Sequence, residues 1–132
     1  MQLVKILSHR MTNQFNYNLI QHGEDYLLVL GRGSANAAQI EDMYHAVYDR
    51  ANATNVFRLL FDVRQVELSY PMDHFVPLMK RISPVLSKLK TARVIAADNL
   101  HQSMIETVSR NSEFDLKNFD CRSQALNWLL EE

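Results

Sequence analysis

Val56-Phe57-Arg58-Leu59-Leu60-Phe61-Asp62, a polar bend, and then Phe75, Leu78, Met79, Ile82, Val85, Leu86 and Leu89 at spacings of three and four decide the fold. An apolar run broken only by Arg58 is expected of a strand covered on both faces or placed centrally in a sheet. The stripe after the bend has the period of a helix. A strand feeding a helix is the repeating step of α/β domains, in which binding groups gather at the carboxyl ends of the strands. The bend from Asp62 to Pro71 is therefore the first place to look for function. Pro77 and Pro84 oppose a regular helix, because proline lacks an amide donor and clashes with the preceding turn, at a cost of about 3 kcal/mol in a helix interior. The pattern predicts a kinked or two-piece helix, or a mixture of helix and loop, over 71–89.

Working upstream, Phe15, Tyr17 and Leu19 alternate with Asn16, Asn18 and Ile20, and a second run spans Tyr26 to Leu30. The short connection His22-Gly23-Glu24-Asp25 predicts an antiparallel hairpin. Gly31-Arg32-Gly33-Ser34 reads as a tight turn into a helix carrying Ala37, Ile40, Tyr44, Val47, Tyr48 and Ala51, with Asn36 and Gln39 forming a reciprocal cap. That helix is expected to end near Asn52-Ala53-Thr54-Asn55. In residues 1–14, Leu3, Leu7 and Met11 fit one helical face, while Val4 and Ile6 would also suit a strand. A short helical extension ahead of a single domain at 15–132 is the reading adopted.

Downstream, Ala92-Arg93-Val94-Ile95-Ala96-Ala97 reads as a strand closed by Asp98-Asn99, either of which can cap a helix. That helix should run to about Asn111 and bury Leu100, Met104, Ile105 and Val108. Phe114 to Phe119 alternates as an edge strand, and Asp120 is placed to cap a last helix containing Ala125, Leu126, Trp128 and Leu129. The order is β-β-α-β-α-β-α-β-α, an α/β mixed sheet of about five strands with helices packed on it.

Composition narrows the function classes. A chain of 132 residues suits one domain, and 47% hydrophobic with 22% charged residues is the profile of a packed globule. The net charge is −1, with 14 Lys and Arg scattered among 15 acids, so nothing favours nucleic acid. The single cysteine, Cys121, excludes an intramolecular disulfide and suits a reducing compartment. A thiolate would be favoured where it stands, at a helix start, although a small filler in the first turn is the plainer reading. Lys5 interrupts the N-terminal apolar run, no cleavage pattern follows, and no window approaches the ~20 apolar residues of a membrane span. A cytoplasmic location without a membrane span is the expectation.

The string of elements resembles the STAS domain, and within it the SpoIIAA-like branch of small stand-alone proteins related to bacterial anti-sigma-factor antagonists. The resemblance covers residues 15–132. It is carried by Gly31-Arg32-Gly33 between a strand and a helix, by Leu59-Leu60-Phe61-Asp62, and best by Phe119 to Leu129, which ends in Ala125-Leu126-Asn127-Trp128-Leu129. It implies a regulatory protein whose antagonist relatives are phosphorylated on a serine at the start of the second helix. The chain departs from that pattern: Glu67-Leu68-Ser69-Tyr70-Pro71-Met72-Asp73 has no glycine, and proline replaces the expected serine. Ser69 is an offset candidate phosphoacceptor. Capping of free helix amides would also account for it.

Other candidates are weaker. Gly31-Arg32-Gly33-Ser34 lacks both the later glycine of a dinucleotide loop and the Gly-Lys-Ser/Thr of a P-loop. Asp62, Asp73, His74, Asp98 and His101 would suit acid and base chemistry if they converged, but no nucleophile-base-orienter order emerges. The five histidines, His9, His22, His45, His74 and His101, form no metal-ligand pair. No catalytic residue, metal or cofactor is therefore assigned. The expected activity is non-enzymatic: binding a protein partner through a rim comprising Asp62, Ser69, Asp73, His74 and Met79. The alternative is a carrier holding an apolar or lipid-like ligand beneath the proline-broken helix 71–89, since SpoIIAA-like domains are also similar in architecture to the CRAL-TRIO lipid-binding fold. A homodimer would cover Leu3, Leu7 and Met11.

Overall fold

The computed structural model describes residues 14–111 and 114–131. The expected hairpin pairs β1 (Asn16–His22) antiparallel with β2 (Tyr26–Ala35), turning through Gly23 at a φ of 57°. The remaining elements are α1 (Ala37–Thr54), β3 (Arg58–Leu68), a 3-10 turn (Met72–His74), α2 (Phe75–Leu86), β4 (Lys90–Val94), α3 (Leu100–Asn111), β5 (Leu116–Phe119) and α4 (Arg122–Leu129). The strands lie in chain order, β1-β2-β3-β4-β5, and every pair after the hairpin is parallel. Right-handed crossovers that keep adding strands at one edge put α1, α2 and α3 on the same face. Helix α4 follows the last strand and covers the other face over β3 and β4.

Alternation divides the core accordingly. Leu27, Val29, Leu59, Phe61 and Val63 meet the buried faces of α1 and α2, while Leu28, Leu60, Ala92 and Val94 meet Ala125 and Leu129 of α4. Helix α1 forms as its spacing predicts, burying Ile40, Tyr44, Val47 and Ala51. Its cap is reciprocal: the Asn36 side chain accepts from the Gln39 amide at 2.9 Å, and the Gln39 side chain accepts from the Asn36 amide at 2.9 Å. The helix stops at Asn55, whose left-handed φ of 60° ends the hydrogen-bond ladder.

Several expectations are corrected. Gly31-Arg32-Gly33-Ser34 is not a turn but the second half of β2. Gly33 has a φ of 93°, and a Cβ there would run into the backbone carbonyl of Gln14, which bridges Ser34. The predicted bend beginning at Asp62 is also strand, because β3 runs on to Leu68 beside the lengthened β2. Between Leu30↔Asp62 and Arg32↔Gln65 the register slips, so Gly31 alone faces Val63 and Arg64. This bulge restores Val66 and Leu68 to the core and turns both Arg64 and Gln65 outward.

Across 75–86 the two prolines sit in one α-helix rather than in two pieces, although a 3-10 turn precedes it. Pro77 lies in the first turn, where an amide has no intrahelical acceptor. Pro84 leaves the Lys80 carbonyl without its usual donor, and the Ser83 hydroxyl donates to that carbonyl at 3.1 Å. Strand β4 is Lys90–Val94 rather than 92–97. Leu100, expected to be buried, is 75% exposed because it opens α3 on the solvent side, whereas Met104, Ile105 and Val108 do pack on the core. Asn99 caps α3 as expected, accepting from the Gln102 amide at 3.1 Å. Asp120 does not cap α4; Cys121 occupies that position. The expected helical face of Leu3, Leu7 and Met11, and the homodimer that would cover it, lie outside the described residues.

Candidate functional site

The lengthening of β3 takes the predicted rim apart. Asp62 is in mid-strand and faces α4, where it accepts from Arg64 Nε at 3.0 Å and Nη2 at 2.7 Å. Partial burial pushes the Asp62 carboxyl upward, but the Arg64 hydrogen bonds outweigh it and hold the pKa below the usual value. Asp73 and His74 lie on the opposite side of the sheet, exposed in the 3-10 turn that leads into α2. Met79 is 5% exposed and belongs to the core. The His101 side chain lies outside the described residues, and among those described no group of three or more His, Cys, Asp or Glu could hold a metal.

Ser69 remains at the end of β3, but it is no helix cap. Its amide and its hydroxyl both donate to the Ala35 carbonyl, at 2.9 and 3.0 Å, strapping the end of β3 to the end of β2. The 3-10 turn starts after Pro71, which offers no side-chain acceptor. Just beyond this strap the surface becomes apolar: Met72 is 40% exposed and Val76 52% exposed. Val76 and Met79 also line an open groove of about 440 Å³, completed by Lys80, Ser83, Val108 and Phe114. Arg81 ties this helix to α1, donating to Glu41 at 2.7 Å and lowering the pKa of that carboxyl.

No family model matches the chain, and no curated protein matches it in sequence. Solved structures do match. An anti-sigma factor antagonist from Mycobacterium paratuberculosis superposes with a TM-score of 0.61 at 16% identity, covering 90% of this chain and 97% of the other. A protein of the DUF3478 family with a SpoIIAA-like fold, from Shewanella loihica, superposes with a TM-score of 0.60 at 17% identity, covering 87% and 93%.

The chain has a STAS/SpoIIAA-like fold.

Within this SpoIIAA-like fold the interior beneath α2 is nearly filled. The void there, walled by Tyr44, Phe61, Tyr70 and Ile82 among others, measures about 20 Å³. That is room for about one water, far below the roughly 300–1,000 Å³ of small-molecule pockets. No helix among the described residues is long and apolar enough to cross a membrane.

Three polar features escaped the sequence reading. Arg93 is 2% exposed on the three-helix face and donates to the Gln102 carbonyl at 3.0 Å, to Asn118 Oδ1 at 3.1 Å, and to Gln102 Oε1. Burial lowers its pKa. Its one visible signal is a cation within the apolar run Ala92-Arg93-Val94. Lys90 Nζ donates to the carbonyls of Trp128 and Glu131, at 2.7 and 2.9 Å, and so closes the end of α4. The Asp62–Arg64 pair was legible only as two opposite charges two apart in a strand. Cys121 Sγ stands 3.0 Å from Ser123 Oγ, and that contact, with the Gln124 and Ser123 amides, lowers the thiol pKa.

Proposed function

We propose that this SpoIIAA-like domain is a non-enzymatic regulatory or adaptor protein that binds another protein across the start of α2 and the adjoining groove. The observation that carries the reading is the pair Met72 and Val76, exposed beside a groove of about 440 Å³ in a segment whose other side is core. Apolar side chains grouped on an otherwise polar surface suit a partner better than solvent. Asp73 and His74 supply a polar rim around them, and Met72 and Met79 are side chains that repack readily. The likeness in fold to a protein described as an anti-sigma factor antagonist supports the regulatory class. Ser69 is the residue through which the surface would be switched: a phosphate on its hydroxyl would remove the donor to Ala35 and add about two negative charges next to Pro71. The proposal includes a cytoplasmic location, in which Cys121 stays reduced.

Affinity capture from the source organism tests the reading. The tagged protein should enrich one dominant partner, and the variant Met72→Asp/Val76→Asp should lose it while keeping its circular dichroism spectrum and melting temperature. Met79 is unsuitable for this purpose, because a carboxylate at a buried position would unfold the domain. Capture unchanged by the double variant would place the interface elsewhere, and no enriched protein at all would remove the reading.

A further inference from the structure

The face of the sheet opposite the proposed docking surface carries a second feature, independent of it. Here α4 covers β3 and β4 but leaves the neighbouring part of β2 open, and a cleft of about 200 Å³ lies there among Leu30, Gly31, Arg32, Asp62, Arg64 and Gln65. The β3 bulge creates its lining. In a regular strand Arg64 and Gln65 would point to opposite faces, whereas the extra residue aims both outward, next to Arg32 on β2. The Arg64 guanidinium is held by two hydrogen bonds to Asp62, at 3.0 and 2.7 Å, and the Arg64 amide donates to the same carboxylate at 3.2 Å. Of its five N–H donors, two are used; both on Nη1 and one on Nη2 are left. Arg32 is exposed, and its side chain makes no hydrogen bond or ion pair among the described residues. The start of α4 adds a third cation, since the charge of Arg122 acts on Asp62.

We propose that this cleft is a binding site for a small tetrahedral oxyanion, phosphate or a phosphate monoester. Arg32, Arg64 and Gln65 all line it, and the one carboxylate in its wall is engaged by Arg64, which it fixes in position. Planar guanidinium donors held in place match the oxygens of a phosphoryl group. The cleft volume is below that of pockets for drug-sized ligands, which restricts the occupant to a small anion or the phosphoryl end of a larger molecule.

Backbone amide NMR at constant ionic strength tests the site, with inorganic phosphate, phosphoserine and chloride as probes. Phosphate or phosphoserine should give saturable shifts confined to residues 30–33, 62–66 and 121–124, and chloride none. Tighter binding of phosphate identifies the free ion as the occupant; tighter binding of phosphoserine identifies a monoester. Arg32→Gln, which leaves the Asp62–Arg64 pair intact, should weaken binding about tenfold, as should Arg64→Gln, with spectra otherwise unchanged. Shifts that fail to saturate and scatter over every surface cation, or an affinity that Arg32→Gln leaves unchanged, would overturn the assignment.

Discussion

Arg64 and Arg93 stand on adjacent strands of one sheet, on opposite faces, and their surroundings differ in every respect. Arg64 projects from β3 on the face covered by a single helix, keeps 46% of its side chain in solvent, and is paired with a carboxylate. Arg93 projects from β4 beneath three helices and is almost wholly buried; among the described residues its hydrogen-bond acceptors, Gln102 and Asn118, are neutral, and the Glu106 charge acts on it without a hydrogen bond. A buried cation without a carboxylate is tolerated only if its donors are satisfied and its neighbours have no better alternative. The three-helix face thus uses a charge to tie α3 and β5 to the sheet. The one-helix face keeps its paired arginine open to solvent.

The sharpest way to break this contrast is Arg93→Met, which keeps the bulk but strands the acceptors of Gln102. A loss of about 3 kcal/mol in urea unfolding is expected, because a buried polar group without a partner costs about 1–3 kcal/mol. Adding Gln102→Leu should recover much of that loss, and a double variant as unstable as the single one would show that Arg93 does not act through Gln102. Next in size is Gly33→Ala, at the end of the β2 and β3 extension that carries both the cleft and the Ser69 strap. The positive φ and the approach of the Gln14 backbone leave no room for a Cβ, so about 2 kcal/mol should be lost. Thermal unfolding unchanged by that substitution would mean that the crossing at Gln14 is not fixed. Ser69→Ala should cost about 1 kcal/mol, the worth of one hydrogen bond, with faster amide exchange at the ends of β2 and β3.

The smallest effect belongs to the exposed face. Asp62→Asn should cost about 1 kcal/mol or less at neutral pH, as for other partly exposed ion pairs. Its signature is in the pH dependence. The folded-state pKa of Asp62 is lowered, so its contribution is present above the unfolded value of about 4 and is lost as pH falls through the folded value. Unfolding measured from pH 7 down to pH 3 should therefore show a steeper acid loss for the parent than for Asp62→Asn. Parallel curves would mean that the Asp62–Arg64 contact is not kept in solution.

The element order was legible because apolar periodicity and caps are local. The Asn36 and Gln39 cap, the α1 stripe and the strand Leu59-Leu60-Phe61 all stand as read. The errors fall where a neighbour decided. Gly31 to Ser34 looks like a turn in isolation, yet it is strand because β3 pairs with it beyond Asp62. Ser69 looks like a cap beside Pro71, yet its hydroxyl reaches the Ala35 carbonyl, 34 residues earlier in the chain. Met79 belongs to the apolar stripe, whose plainest reading is core, and its adaptable thioether also suits a partner; the structure buries it with the stripe and leaves Val76 outside.

Asp62 to Pro71 therefore has a different meaning from the one its sequence suggests. Residue order alone determined the alternation of strand and helix and which stripes are apolar, since those depend on spacing along the chain. Tertiary structure alone decided that β3 continues past Asp62, that a bulge turns Arg64 and Gln65 to the same side, and that Asp62 and Asp73 stand on opposite faces. Strand length and register are set by hydrogen bonding to a partner strand, and a partner strand is not written in the spacing of the strand itself.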